Sequence, residues 1–101
     1  MSDVKEKALW LLQFIEDSLQ EAIKHPHTLE DCLTEAGCAL RILDKHVRSD
    51  DRLNALFSVS PLCGFRFLDS FNRKTHTEQM ELVEKALVFV AATQDLIRFQ
   101  L

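Results

Sequence analysis

Only two glycines and two prolines occur in 101 residues, and that scarcity constrains the fold more than any other feature. Glycine loosens the backbone and proline removes an N–H donor, so both residues tend to end regular elements. With breaks available only near Pro26, Gly37, Pro61 and Gly64, the chain is expected to form a few long elements, not many short strands. The apolar residues recur at three- and four-residue steps, which makes those elements helices.

The first helix is expected from Asp3 to Lys24. Asp3 is its N-cap, with Glu6 three residues on, and His25-Pro26 stops it. Val4, Ala8, Leu11, Ile15, Leu19 and Ala22 form one apolar face. The second helix starts at Thr28, where "TLED" reads as a capping box with Asp31 at N3. Leu29, Leu33, Ala36, Leu40, Leu43 and Val47 then form the cleanest amphipathic stripe in the chain. A loop of a few residues between the two predicts an antiparallel helical hairpin. The stripe breaks at "RSDDRL", so Ser49 or Asp50 is expected to cap a short helix ending near Ser58.

Ser60 and Pro61 next read as the cap and first residue of a helix fading between Asn72 and Lys74. The final helix opens at Thr75 or Thr77 and runs to the terminus. A β reading of "LVFVAA" yields to the acidic and amide residues spaced around it. The expectation is an all-α, single-domain bundle of four to five helices over residues 1–101, with an N-terminal antiparallel hairpin and a long C-terminal helix.

Apolar residues make up 47% of the chain and charged residues 28%, which suits a globular protein and not a disordered one. Sixteen acids against twelve bases leave a net charge of −4. With no basic cluster, nucleic acid is not an expected partner, and a middle-segment helix-turn-helix is correspondingly weak. The start "MSDVKEKALWLLQFIED" has no secretory pattern. The longest apolar run, "ALVFVAA", falls far below the ~18 residues of a membrane helix. No membrane association is expected, and three cysteines without a signal peptide point to the reducing cytoplasm.

The stretch "KHPHTLEDCLTEAGCAL" holds the most metal-like residues: His25, His27, Cys32 and Cys38. At 100° per residue the two cysteines lie about 120° apart on their helix, so one ion cannot take both. Cys32 is expected in the core and Cys38 on the surface. Cys63 falls at N3 of the Pro61 helix, where unpaired N–H groups favour a thiolate. Without a C-x-x-C partner or a base tied to it, it reads first as a packing residue. A thiol-based redox sensor or enzyme centred on Cys63 is the alternative. No glycine-rich phosphate loop, nucleophile elbow or Glu-x-x-His pair occurs, so no cofactor or metal is expected and the chain reads as non-enzymatic.

The remaining signal is a surplus of apolar side chains. Trp10 lies on the polar side of the first helix, between the angular positions of Asp17 and Glu21, with Phe14 one turn on. Cys38 and Ile42 lie opposite the leucine seam of the second. In the last helix Met80, Val83, Leu87, Val90 and Ile97 form one stripe, Leu82, Phe89 and Leu96 a second, and Val88, Ala92 and Phe99 a third. Phe65, Phe67 and Phe71 add three more rings. One small core hides so much with difficulty. Trp10, Phe14, Cys38, Ile42, Phe65, Phe67, Phe71, Phe89 and Phe99 are therefore expected to bind a protein partner. A homodimer comes first and a heterologous partner second. The implied role is a small acidic regulator that occludes or stabilises its partner, as anti-activators and chaperones do.

Overall fold

The computed structural model of the chain describes residues 3–63 and 75–101. They form an all-α bundle measuring 42 × 21 × 19 Å. Helix α1 spans Asp3–Lys24, a 3₁₀ turn covers Pro26–Thr28, and α2 spans Leu29–Val47. Helix α3 covers Asp51–Ser58 and α4 His76–Gln100. The helix expected after Pro61 lies outside the described residues beyond Cys63, and so do Phe65, Phe67 and Phe71.

Helices α1 and α2 pack as the antiparallel hairpin that their stripes require, and α1 packs a second flank on α4. This double contact explains why α1 buries more than its expected stripe. Leu12 is fully enclosed beside Ile15 and Leu19, and Leu11 and Ala8 complete the inner surface. Leu33 and Leu43 from α2, Leu53 from α3, Leu62, and Val83, Val90 and Ile97 from α4 join the same core. Each such aliphatic side chain stabilises the fold by roughly 1.5–3 kcal/mol relative to exposure.

The ends of the hairpin are fixed differently. At the closed end the His25 and Thr28 backbones meet (Thr28 N–H to His25 O, 2.9 Å). At the open end the His46 imidazole Nε2 reaches the Val4 carbonyl at 2.9 Å. Two cations also latch α4 there: Lys5 Nζ donates to Arg98 O (3.1 Å) and Arg52 to Gln100 O (3.0 Å). These are the carbonyls a helix C-terminus leaves unpaired, and positive charge suits that end of the dipole.

Two caps match expectation. The Leu53 N–H donates to Asp50 Oδ1 at 2.9 Å, starting α3. Thr75 and Glu78 form the reciprocal capping box of α4, with the Glu78 N–H donating to Thr75 Oγ1 at 3.3 Å.

Two others, at Thr28 and Asp3, are corrected. Thr28 makes no side-chain cap bond. Its hydroxyl donates backwards to His25 O (2.7 Å) and lies 3.4 Å from Cys32 Sγ, because Pro26 opens a 3₁₀ turn through Thr28 that presents a nearer acceptor. The Ser60 hydroxyl donates to Phe57 O (2.8 Å) at the end of α3, and the helix it is expected to cap lies outside the described residues. Asp3 sits within the first turn of α1, where its carboxylate still suits the dipole, and not before it.

Helix α4 sorts its three apolar stripes by depth. The stripe through Val83, Val90 and Ile97 is core, whereas Leu82, Phe89 and Leu96 are half-buried. Val88, Ala92 and Phe99 face outwards. Gln94, which falls within the buried stripe, is enclosed, and its Nε2 has no hydrogen-bond partner among the described residues.

Candidate functional site: an apolar groove on the helical hairpin

Leu11, Ala8 and Ile15 fix the inner face of α1 against its neighbours. The residues 100° around the helix on the flank opposite Leu12 and the α4 contact then point away from the core. Trp10 and Phe14 are those residues, one turn apart, with ring centroids 6.1 Å apart and planes inclined at 33°. Trp10 is 65% exposed and Phe14 39%. In α2 the inward leucines leave Cys38 and Ile42 on the outside, again one turn apart, and Ile42 is 50% exposed.

Antiparallel packing sets these two pairs side by side. Trp10, Phe14, Cys38 and Ile42 form the walls of one groove of about 280 Å³, with Leu11 and Ala39 beneath them and Thr34 and Glu35 at its margin. Nothing in the separate helix patterns showed that the two outward pairs would meet. Their register depends on the loop, and a loop one residue longer would have moved one pair past the other.

Of the other expected partner residues within the described segments, Phe89 and Phe99 do not line this groove. Phe89 packs against the core from α4, and Lys85 Nζ sits 5.6 Å from its ring centroid, a cation–π contact. Phe99 is 82% exposed on α4, three turns from Val88, which is 66% exposed on the same side. Neither lines the groove, and both stand along one helix. Val59 and Ile23, which were not singled out, are also exposed. Ile23 lies one residue past Ala22, on the flank of a stripe that predicts burial only at its centre.

The histidine and cysteine stretch is divided between the two faces. Cys32 is buried against the Thr28 hydroxyl, whereas Cys38 lines the groove. His25 and His27 stack edge to face with centroids 5.8 Å apart, and His25 Nε2 lies 3.7 Å from Glu21 Oε1. Among the described residues no group of three or more His, Cys, Asp or Glu side chains could hold a metal ion.

Cys63 is exposed and not packed. Its N–H closes a turn on Ser60 O at 3.2 Å, and that turn carries the thiol outwards. The packing role expected for it is corrected accordingly. The described helices offer no span long and apolar enough to cross a membrane.

Compared with known protein families, with characterised proteins and with solved structures, the chain matches none.

Proposed function

We propose that this protein is a non-enzymatic binding module that holds another polypeptide in the α1–α2 groove. One observation carries the reading. Four large or sulfur-bearing side chains from two helices, separately outward-facing, converge on one apolar hollow. A tryptophan exposed in a concave apolar surface is the residue type most enriched where binding energy concentrates. Grooves between helices commonly take the apolar face of a further helix, which needs anchors spaced by a turn, as Trp10/Phe14 and Cys38/Ile42 are. Occupying such a helix covers it from its other partners or keeps it from aggregating, so the module acts as an occluding or stabilising regulator. Dimerisation of the module is part of this reading, and the cytoplasm is its proposed compartment.

The test combines light scattering of the pure protein with affinity capture from its host, each with wild type and a Trp10→Ala/Phe14→Ala variant. Association that weakens in the variant while helicity by circular dichroism stays constant supports the groove. Equal association removes it.

A second reading, thiol chemistry at Cys63, draws on the exposure of that side chain. Alkylation rate against pH separates the two. A Cys63 that reacts as a thiolate below neutral pH favours chemistry, and a sluggish thiol favours the groove.

A further inference from the structure

We infer that the occupant of the groove is the same groove of a second copy of this chain, related by a two-fold axis that crosses the helices. The inference rests on the binding reading above and adds to it the partner and the arrangement. It comes from the way charge is laid out along the groove.

The Val4–His46 contact at the open end and the His25–Thr28 turn at the closed end fix which residues of α1 and α2 stand level. Residue 12, midway between Trp10 and Phe14, lies beside residue 40, midway between Cys38 and Ile42. Towards the closed end Glu35 of α2 lies at the groove's margin, and Asp17 of α1 is exposed within about 20° of Trp10 around its helix. Towards the open end the exposed Lys7 on α1 and Lys45 on α2 border the groove, with the exposed Glu6 next to Lys7.

The spacing is symmetric. Lys7 and Asp17 stand five residues either side of residue 12, and Lys45 and Glu35 stand five either side of residue 40. Each is therefore about 7–8 Å along the helix from the groove centre.

A two-fold axis in the plane of contact and perpendicular to the helices reverses their direction and keeps α1 over α1 and α2 over α2. It sets Lys7 of one copy against Asp17 of the other, and Lys45 against Glu35, each twice. It also sets Trp10 over the second copy's Phe14 and Ile42 over its Cys38. The result is a four-helix arrangement in which two half-grooves close into one apolar centre inside a ring of opposite charges. The alternative two-fold, along the helices, stacks acid on acid and base on base. The match is not complete: about 9 Å from the centre Glu6 would stand near the second copy's Asp17, and about 13 Å out Glu21 would face its Asp3, both like-charged. The inner ring therefore selects the arrangement, and the like-charged pairs weaken it.

The test uses two double variants of exposed residues, Lys7→Glu/Lys45→Glu and Asp17→Lys/Glu35→Lys, with helicity checked by circular dichroism. Sedimentation equilibrium should show that wild type dimerises and that salt weakens the dimer. Each variant alone should self-associate about 100-fold more weakly or worse, since like charges then face each other four times. Mixing the two variants should restore a one-to-one dimer near wild-type strength.

A wild-type chain that stays monomeric overturns the second-copy inference, as does a dimer indifferent to the charge changes or a mixture that fails to recover. The groove reading fails separately. A dimer unaffected by charge but lost in Trp10→Ala/Phe14→Ala keeps the groove and discards this symmetry. A dimer unaffected by either set discards both. With a monomeric wild type, a host protein retained by it and lost by the aromatic variant keeps the groove for a different occupant.

Discussion

The hairpin groove and the outer side of α4 expose similar residues in different shapes. In the groove, two turns from each of two helices bring an indole, a phenyl, a sec-butyl side chain and a thiol around one hollow. On α4, Val88 and Phe99 stand eleven residues apart along a single convex helix, with Asp95 exposed between them. A helix alone presents a ridge, and a ridge gives a partner no enclosed surface to desolvate. Two helices give a concavity, and concavity concentrates contact on few atoms. Fractional exposure does not distinguish the two regions, since Phe99 is the more exposed of the aromatic residues. Convergence does.

The contrast can be broken most directly at Trp10. Trp10→Ala should weaken association by about 2 kcal/mol or more, measured by sedimentation equilibrium, with unchanged helicity. If Phe99→Ser has an effect of the same size, the convex ridge and not the groove is the binding surface.

A second contrast separates the buried interior of α4 from its surface. Gln94→Leu removes an amide whose Nε2 is enclosed without a partner among the described residues, so unfolding in urea should require about 1–2 kcal/mol more free energy. A loss of stability instead would mean that the amide has a role within the core.

Smaller effects test the helix starts. Thr75→Ala deletes half of a formed capping box and should cost about 1 kcal/mol in the same measurement. Thr28→Ala deletes a hydroxyl that caps nothing, so its cost should be distinctly smaller, about half that of a true cap. Equal losses would show that Thr28 acts as a cap in solution. Smallest of all, Glu21→Lys should tighten self-association a few-fold by turning an outer like-charged pair into an attractive one, the modest gain of an exposed ion pair.

These contrasts also show which parts of the fold the residues announce. The α1–α2 hairpin was readable because a regular leucine stripe, a proline stop and a short loop all require the same arrangement, and so was the Thr75–Glu78 box. The Thr28 box does not form because Ser/Thr hydroxyls bond whichever backbone group lies nearest, and a 3₁₀ turn changes which one that is. The groove was half readable. Trp10, Phe14, Cys38 and Ile42 could each be placed on an outward face from helical period alone. That they face one hollow depends on inter-helix register, a property of two segments together. The sorting of α4 into core, half-buried and outer stripes was not readable either, because three apolar stripes on one helix give no indication of which neighbour arrives.

The latch between Lys5 and the Arg98 carbonyl joins residues 93 positions apart, and this has a consequence for the order in which the molecule is assembled. During synthesis the hairpin is complete once Val47 has emerged, but the flank of α1 that carries Leu12 must wait for α4. Adding the intervening fifty or so residues takes roughly 3–10 s at ribosomal speed, far longer than a helical hairpin needs to form. The hairpin is therefore expected to be the folding nucleus and α4 the late addition. Substitutions in the α1–α2 seam should slow refolding, whereas those at Val83 or Val90 should chiefly hasten unfolding in stopped-flow measurements.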